Sequence, residues 1–204
     1  MYCGGLCFIT DLRAGMRSYE DMVRLVLDAG ATWIQYRDKE SSGRDLYRTA
    51  EKLRIMTRDY NAVFIVNDRT DIARAVEADG VHLGQDDLPA DKAREILGRD
   101  RLIGLSTHTV EQAVDAEASG VDYIGVGPIF HTQTKDAGPP RGIYILQQVR
   151  QHVKMPIVAI GGITLENMRT VLDTGIDAVA VSSAILSGSI QRNVKAFYEN
   201  IAAY

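Results

Sequence analysis

The sequence predicts a single (β/α)8 TIM barrel covering residues 1–204. Three observations carry that reading. Eight short apolar runs alternate strictly with segments of helical periodicity, the pattern of βαβ units around a parallel sheet. The runs are mostly continuous instead of alternating apolar and polar, as in strands covered on both faces. Most pass directly into polar or glycine residues, which a barrel gathers at the C-terminal mouth of its strands. A doubly wound open sheet shares the alternation, but eight pairs with no second domain suit closure better.

The stretch from Val63 to Asp87 shows the repeating unit most clearly. Val63 to Val66 and Val81 to Leu83 read as buried strands that end in Asn67-Asp68-Arg69 and Gln85-Asp86-Asp87. Asp71 to Ala78 is helical between them, with Ile72 and Val76 on one face. The first strand is Leu6 to Asp11. Its helix, Tyr19 to Ala29, has Ser18 as N-cap and Gly30 as stop. Thr32 to Arg37 and the helix Gly43 to Tyr60 follow, with Leu46, Ala50 and Leu53 aligned. Pro89 suits the first position of the fourth helix, which ends at Leu97, because its missing N–H costs little there. The fifth pair is Leu102 to Ser106 with Val110 to Ala118, and the sixth is Tyr123 to Gly127 with Ile143 to His152. Pro156 to Gly161 with Leu165 to Thr174, and Ala178 to Val181 with Ile190 to Ala202, complete the eight. The connection Pro128 to Arg141 is long and rich in Thr, Gly and Pro, as functional loops are.

With 46% hydrophobic and 25% charged residues, the chain has the composition of a soluble domain able to bury a full core. A net charge of −4 and a pI near 5.6 give no polycationic surface. Neither nucleic acid nor an anionic membrane is therefore an expected partner; small-molecule substrates are. No secretory signal is visible at Met1 to Thr10, and no run approaches the ~18 apolar residues of a membrane span. Cys3 and Cys7 have no further Cys or His cluster to complete a zinc site. The expected location is a reducing cytoplasm. A homodimer through helix faces is compatible with the barrel, but no surface stripe marks one.

At a barrel mouth, Gln35, Arg37 and Lys39 would meet Asn67 and Asp68, then Gln85, Asp86 and Asp87, then Ser106 and His108. Thr132, Gln133, Thr134 and Lys135 join them, with Gly161, Gly162, Ser182 and Ser183. Asp68 and Asp87, from adjacent strands, could share one Mg²⁺, which takes one or two protein carboxylates and fills its shell with water and phosphate oxygens. They could equally cap the helices that follow. Arg37, Lys39 and Lys135 bring positive charge where a diphosphate could sit, against the plainer reading of solvated loop charges. Gly161-Gly162 and Ser182-Ser183 fall where many barrels bind phosphate through loop amides, although a tight turn alone would also explain the glycines. His108 reads either as an acid/base group or as the cap of the fifth helix. His82, inside a strand, reads as a core histidine, and Trp33 and Tyr123 as packing residues.

The motifs now fall into one pattern. Ile9 to Asp11 (ITD), Gly30 to Lys39 (GATWIQYRDK), NDRTDIA from Asn67 and ADGVHLGQDD ending at Asp87 come first. GLSTH ending at His108, DYIGVGPIFHTQTK ending at Lys135, PIVAIGGI ending at Ile163 and VSSAI from Val181 follow in order. Across nearly its whole length the chain resembles the thiamine-phosphate synthases. The resemblance implies that Gln35, Tyr36, Arg37, Asp38, Lys39, Asn67, Ser106 and Lys135 bind hydroxymethylpyrimidine diphosphate, with Arg37, Lys39, Ser106 and Lys135 catalytic. It implies Mg²⁺ at Asp68 and Asp87, and thiazole phosphate at Thr132, Gln133, Thr134, Gly162, Ser182 and Ser183. The implied reaction expels diphosphate from the pyrimidine methylene carbon, which the thiazole nitrogen captures. Tyr36, His131 and Ser182 depart from the usual Leu, Pro and Val of that family. A thiazole tautomerase on the same barrel would need His108 but neither metal carboxylates nor diphosphate cations. A silent precursor-binding relative would be expected to lack Asp68, Asp87 or Lys135, and all three are present.

Overall fold

The computed structural model describes residues 5–12, 18–132 and 138–204. Eight strands close in sequence order into a parallel barrel, β8 returning to pair with β1. They are β1 (Gly5–Ile9), β2 (Trp33–Tyr36), β3 (Val63–Asn67), β4 (Gly80–Leu83), β5 (Leu102–Thr107), β6 (Tyr123–Val126), β7 (Ile157–Ile160) and β8 (Ala178–Val181). The closed barrel, not the open sheet, is thus the arrangement adopted. Around it lie α1 (Tyr19–Asp28), α2 (Gly43–Asp59), α3 (Thr70–Ala75), α4 (Ala90–Leu97) and α5 (Val110–Ala118). α6 (Tyr144–His152), α7 (Met168–Leu172), the single turn α8 (Ser183–Leu186) and α9 (Ile190–Ala202) complete the layer.

Local chemistry explains most boundaries. Ser18 caps α1, its hydroxyl accepting from Asp21 N–H at 3.0 Å, and Gly30 stops that helix at φ +94°. The seventh helix begins later than its sequence pattern suggests. Asn167 Oδ1 accepts the Thr164 N–H at 2.9 Å, which holds residues 164–167 in a side-chain-closed turn. The single turn α8 follows directly from β8, where many barrels place a short helix N-terminus.

Strand alternation divides the core in two. Outward side chains such as Phe8, Ile34, Phe64 and Val81 pack against the helices. Inward ones, including Cys7, Trp33, Ile65, Tyr123 and Val158, fill the barrel. Trp33 and Tyr123 meet edge to face with ring centroids 5.4 Å apart, as their packing assignment anticipates. Among the described helices, none is long and apolar enough to cross a membrane.

The N-terminal face is fastened by a motif used three times. Asp79 Oδ2, just before β4, accepts both Arg54 of α2 (2.8 Å) and the Phe64 N–H of β3 (2.8 Å). Asp122 Oδ2, before β6, accepts Arg94 of α4 (2.7 Å) and the Ile103 N–H of β5 (2.7 Å). Asp177 Oδ2, before β8, accepts Arg150 of α6 (3.0 Å) and the Ile157 N–H of β7 (2.8 Å). Before β2 the corresponding position is Thr32, whose N–H is received by the Tyr198 hydroxyl of α9 at 3.0 Å. Arg54 and Asp79 are the most buried of these pairs, with side chains 14% and 13% exposed. Asp79→Ala leaves a buried guanidinium and an orphaned strand N–H, so it is expected to cost about 3 kcal/mol. The melting temperature should fall by about 6–12 °C while activity per folded molecule is retained.

Candidate active site

The strand order brings the sequence-predicted residues to one mouth. Thr10, fully buried after β1, anchors the next loop: its Oγ1 receives the Arg37 N–H at 2.9 Å and donates to the Arg37 carbonyl at 3.1 Å. Sequence reasoning assigned Thr10 no task; its place one residue beyond β1 was the available signal. Arg37 consequently stands between two cavities. One, of about 180 Å³, is lined by Asp11, Tyr19, Arg37, Asp38 and Lys39 among others. The second, of about 90 Å³, is lined by Arg37, Ser106, His108, Thr132 and Gly161 among others.

Gln35 is buried at the inward end of β2, in phase with Trp33. Tyr36 has the opposite phase. Its ring, 1% exposed, packs among the outer core residues, edge to face with Tyr19 at 5.0 Å. Burial, and then the nearby Asp38 carboxylate, push its phenol far above the ordinary range. Period-two alternation turns the Tyr36 side chain toward the helices and away from the barrel interior. Asp38 is also engaged locally: Oδ1 accepts the Glu40 and Ser41 N–H groups at 3.0 and 3.1 Å, and Oδ2 accepts the Tyr36 hydroxyl at 3.3 Å. Its carboxylate shapes the loop that carries Lys39.

Lys39 forms an ion pair with Asp68. Asp68 follows Asn67, the last residue of β3, and sits at φ +62°. The capping alternative for the two acids fails. Residue 69 occupies the N-cap of α3 and Pro89 that of α4, and neither helix has a side-chain cap. Asp71, in the first turn of α3, pairs with Arg69 at 2.5 Å. Asp87 folds back to accept the Gly84 N–H at 2.6 Å and lies close to Asp68. Burial, and then Asp68, raise the Asp87 carboxyl above the usual range.

Two carboxylates facing each other, with one raised, make a site that fits a hard divalent cation. No group of three or more His, Cys, Asp and Glu suited to a metal occurs among the described residues. The raised group has a stability consequence. Its neutral form is favoured in the fold, so the stability it contributes in acid is lost as pH rises through the raised value. In metal-free buffer Asp87→Asn, which stays neutral, should melt above the unsubstituted chain at pH 7. Calorimetry across pH should show that gap closing below about pH 3.5.

Ser106 lies near the end of β5, its carbonyl receiving Gln85 Nε2 at 2.6 Å. His108 does not cap α5, since Thr109 does, accepting from Gln112 N–H at 3.2 Å. Its Nδ1 donates to the Gly127 carbonyl at 2.6 Å, which fixes the ring beside the second cavity. Gly161 and Gly162 have φ of +101° and +63°. A Cβ at Gly162 would come within 2.4 Å of the His131 carbonyl, so glycine here serves a close backbone approach as well as a turn. Ser182 stands at the N-cap of α8 with its Oγ buried and without a hydrogen-bond partner among the described residues, and Ser183 opens the turn. Thr132 lines the second cavity. Gln133, Thr134 and Lys135 lie outside the described residues.

Fold and mouth together define a (β/α)8-barrel enzyme. The family model described as thiamine monophosphate synthase matches residues 6–185. A thiamine-phosphate synthase of Chlorobium phaeovibrioides is 51% identical over 181 residues, 88% of this chain and 85% of the relative. That of Moorella thermoacetica is 48% identical over 182 residues, 89% and 87% of the two chains. The solved thiamine phosphate pyrophosphorylase of Pyrococcus furiosus superposes with a TM-score of 0.89 at 39% identity, covering 98% of this chain and 96% of its own. The chain belongs to the thiamine monophosphate synthase family, whose place is in thiamine biosynthesis.

Proposed function

We propose that this protein condenses hydroxymethylpyrimidine diphosphate with thiazole phosphate, or its carboxylated form, to give thiamine phosphate and diphosphate with Mg²⁺, in the cytoplasm. The observation that carries the reading is the Asp68–Asp87 pair, two neighbouring carboxylates that cap no helix, with Lys39 paired to Asp68 and sharing a cavity with Arg37. A thiazole tautomerase has no use for such a pair.

Asp68 and Asp87 would hold the ion, and bound Mg²⁺ supplies a Lewis acid that neutralises charge on a departing diphosphate. Arg37 offers a planar guanidinium for two phosphate oxygens at once, and Lys39 a movable point charge that exchanges Asp68 for the diphosphate. Gln35, Asn67 and Ser106 supply hydrogen bonds to the pyrimidine half. Thr132, the Gly162 turn and the backbone at Ser182 and Ser183 receive the thiazole phosphate, helped by first-turn N–H groups that have no intrahelical partner. Gln133, Thr134 and Lys135 join those sets by family resemblance. The aminopyrimidine stabilises its own methylene cation, so no protein nucleophile or general base is assigned.

The test is to mix purified chain with both substrates and Mg²⁺ and to measure thiamine phosphate, with an EDTA control. Metal-dependent product is expected. Folded protein that binds the diphosphate without forming product would instead be a silent binder. Protein that binds neither substrate would overturn the reading.

A further inference from the structure

Ser106 is held from two sides. Besides the Gln85 contact to its carbonyl, its Oγ lies 3.0 Å from His82 Nε2, and His82 Nδ1 lies 3.1 Å from the Tyr123 hydroxyl. The imidazole, 8% exposed, thus reaches from β4 across β5 to β6. Glycine makes the room. A Cβ at Gly104 would approach His82 Nδ1 to 2.5 Å and Tyr123 Cζ to 2.2 Å, and one at Gly125 would approach His82 Cε1 to 3.1 Å. Glycine inside a strand weakens it, so two such positions beneath one ring are a sacrifice that simple core packing does not require.

We propose that His82 is a positioning residue that orients the Ser106 hydroxyl toward the substrate; only the identity of that substrate rests on the synthase reading. Of the two hydroxyls, the phenol is the more acidic and gives its hydrogen to Nδ1. With Nδ1 accepting, the ring carries its hydrogen on Nε2 and donates it to Ser106 Oγ. With that oxygen engaged as an acceptor, the Ser106 hydrogen is left for the cavity it shares with Arg37 and His108. Ser106 becomes a preset donor for negative charge developing on the leaving group. The opposite tautomer would present Ser106 to the substrate as an acceptor.

Two measurements decide the matter. Nitrogen NMR of the ligand-free full chain should show His82 as the Nε2–H tautomer, and Tyr123→Phe should disturb that signature. In steady-state kinetics, His82→Leu should lower kcat about tenfold with KM for the pyrimidine diphosphate little changed. His82→Gln, whose amide places a donor near Nε2, should recover most of the loss. Ser106→Ala/His82→Leu should be no slower than Ser106→Ala alone, because His82 acts only through that hydroxyl. An Nδ1–H tautomer, or losses that multiply in the double variant, would overturn the proposal. Melting curves report whether each variant folds, and if His82→Leu does not, Tyr123→Phe takes its place in the cycle. A chain that forms no thiamine phosphate refutes the synthase reading, while the NMR result still decides the orientation of Ser106.

Discussion

Asp68→Asn should reduce Mg²⁺-supported turnover by about two to three orders of magnitude, the scale on which loss of one preorganised charge-stabilising contact acts. The fold should survive. Asp68 sits at φ +62°, a left-handed conformation that Asn adopts as readily as Asp. Its ion pair with Lys39, a side chain 46% exposed, contributes less than about 1 kcal/mol. The loss should therefore appear in turnover measured against Mg²⁺ concentration and not in the melting curve. Unchanged activity at low Mg²⁺ would remove Asp68 from the metal site.

Gly162→Ala should damage both stability and one half of the substrate site. Alanine at φ +63° costs about 1–2 kcal/mol in backbone strain. Its Cβ would also meet the His131 carbonyl oxygen at 2.4 Å and Phe130 Cβ at 2.8 Å. These neighbours are backbone or close to it, so they cannot rotate away. The turn is itself pinned, because Asn167 Nδ2 donates to the Gly162 carbonyl at 2.9 Å. The segment leading to Thr132 must move instead. A stability loss of about 3 kcal/mol is expected, with KM for thiazole phosphate rising at least tenfold and KM for the pyrimidine diphosphate changing far less. Equal rises in both would place Gly162 outside the thiazole subsite.

The barrel was legible because its strands are covered on both faces and so write themselves as short apolar runs between helical patterns. Ser18 and Gly30 marked the ends of α1 where the structure has them. The mouth was legible residue by residue only where alternation was applied. Gln35 and Arg37 share an inward phase, whereas Tyr36, part of the same motif, has the outward one. The capping question at Asp68 and Asp87 could not be answered from spacing, since helix entry depends on the dihedrals at Arg69 and Pro89. The surroundings of His82 were hidden for a different reason. Gly104 and Gly125 become its neighbours only through a strand register, which no local pattern encodes.

The three aspartate fasteners at the closed end bear on how the chain assembles. Each arginine and its aspartate are separated by only 25, 28 or 27 residues. Each can be tied within its own stretch, at the modest entropic expense of a short loop. The Thr32–Tyr198 contact is different, spanning 166 residues. Nucleation can therefore begin independently in three places along a nascent chain, while the seam between its first and last elements waits until α9 has been made. Contact order predicts that this seam, closed by the β1–β8 pairing together with the Thr32–Tyr198 contact, is the slowest part of the barrel to form.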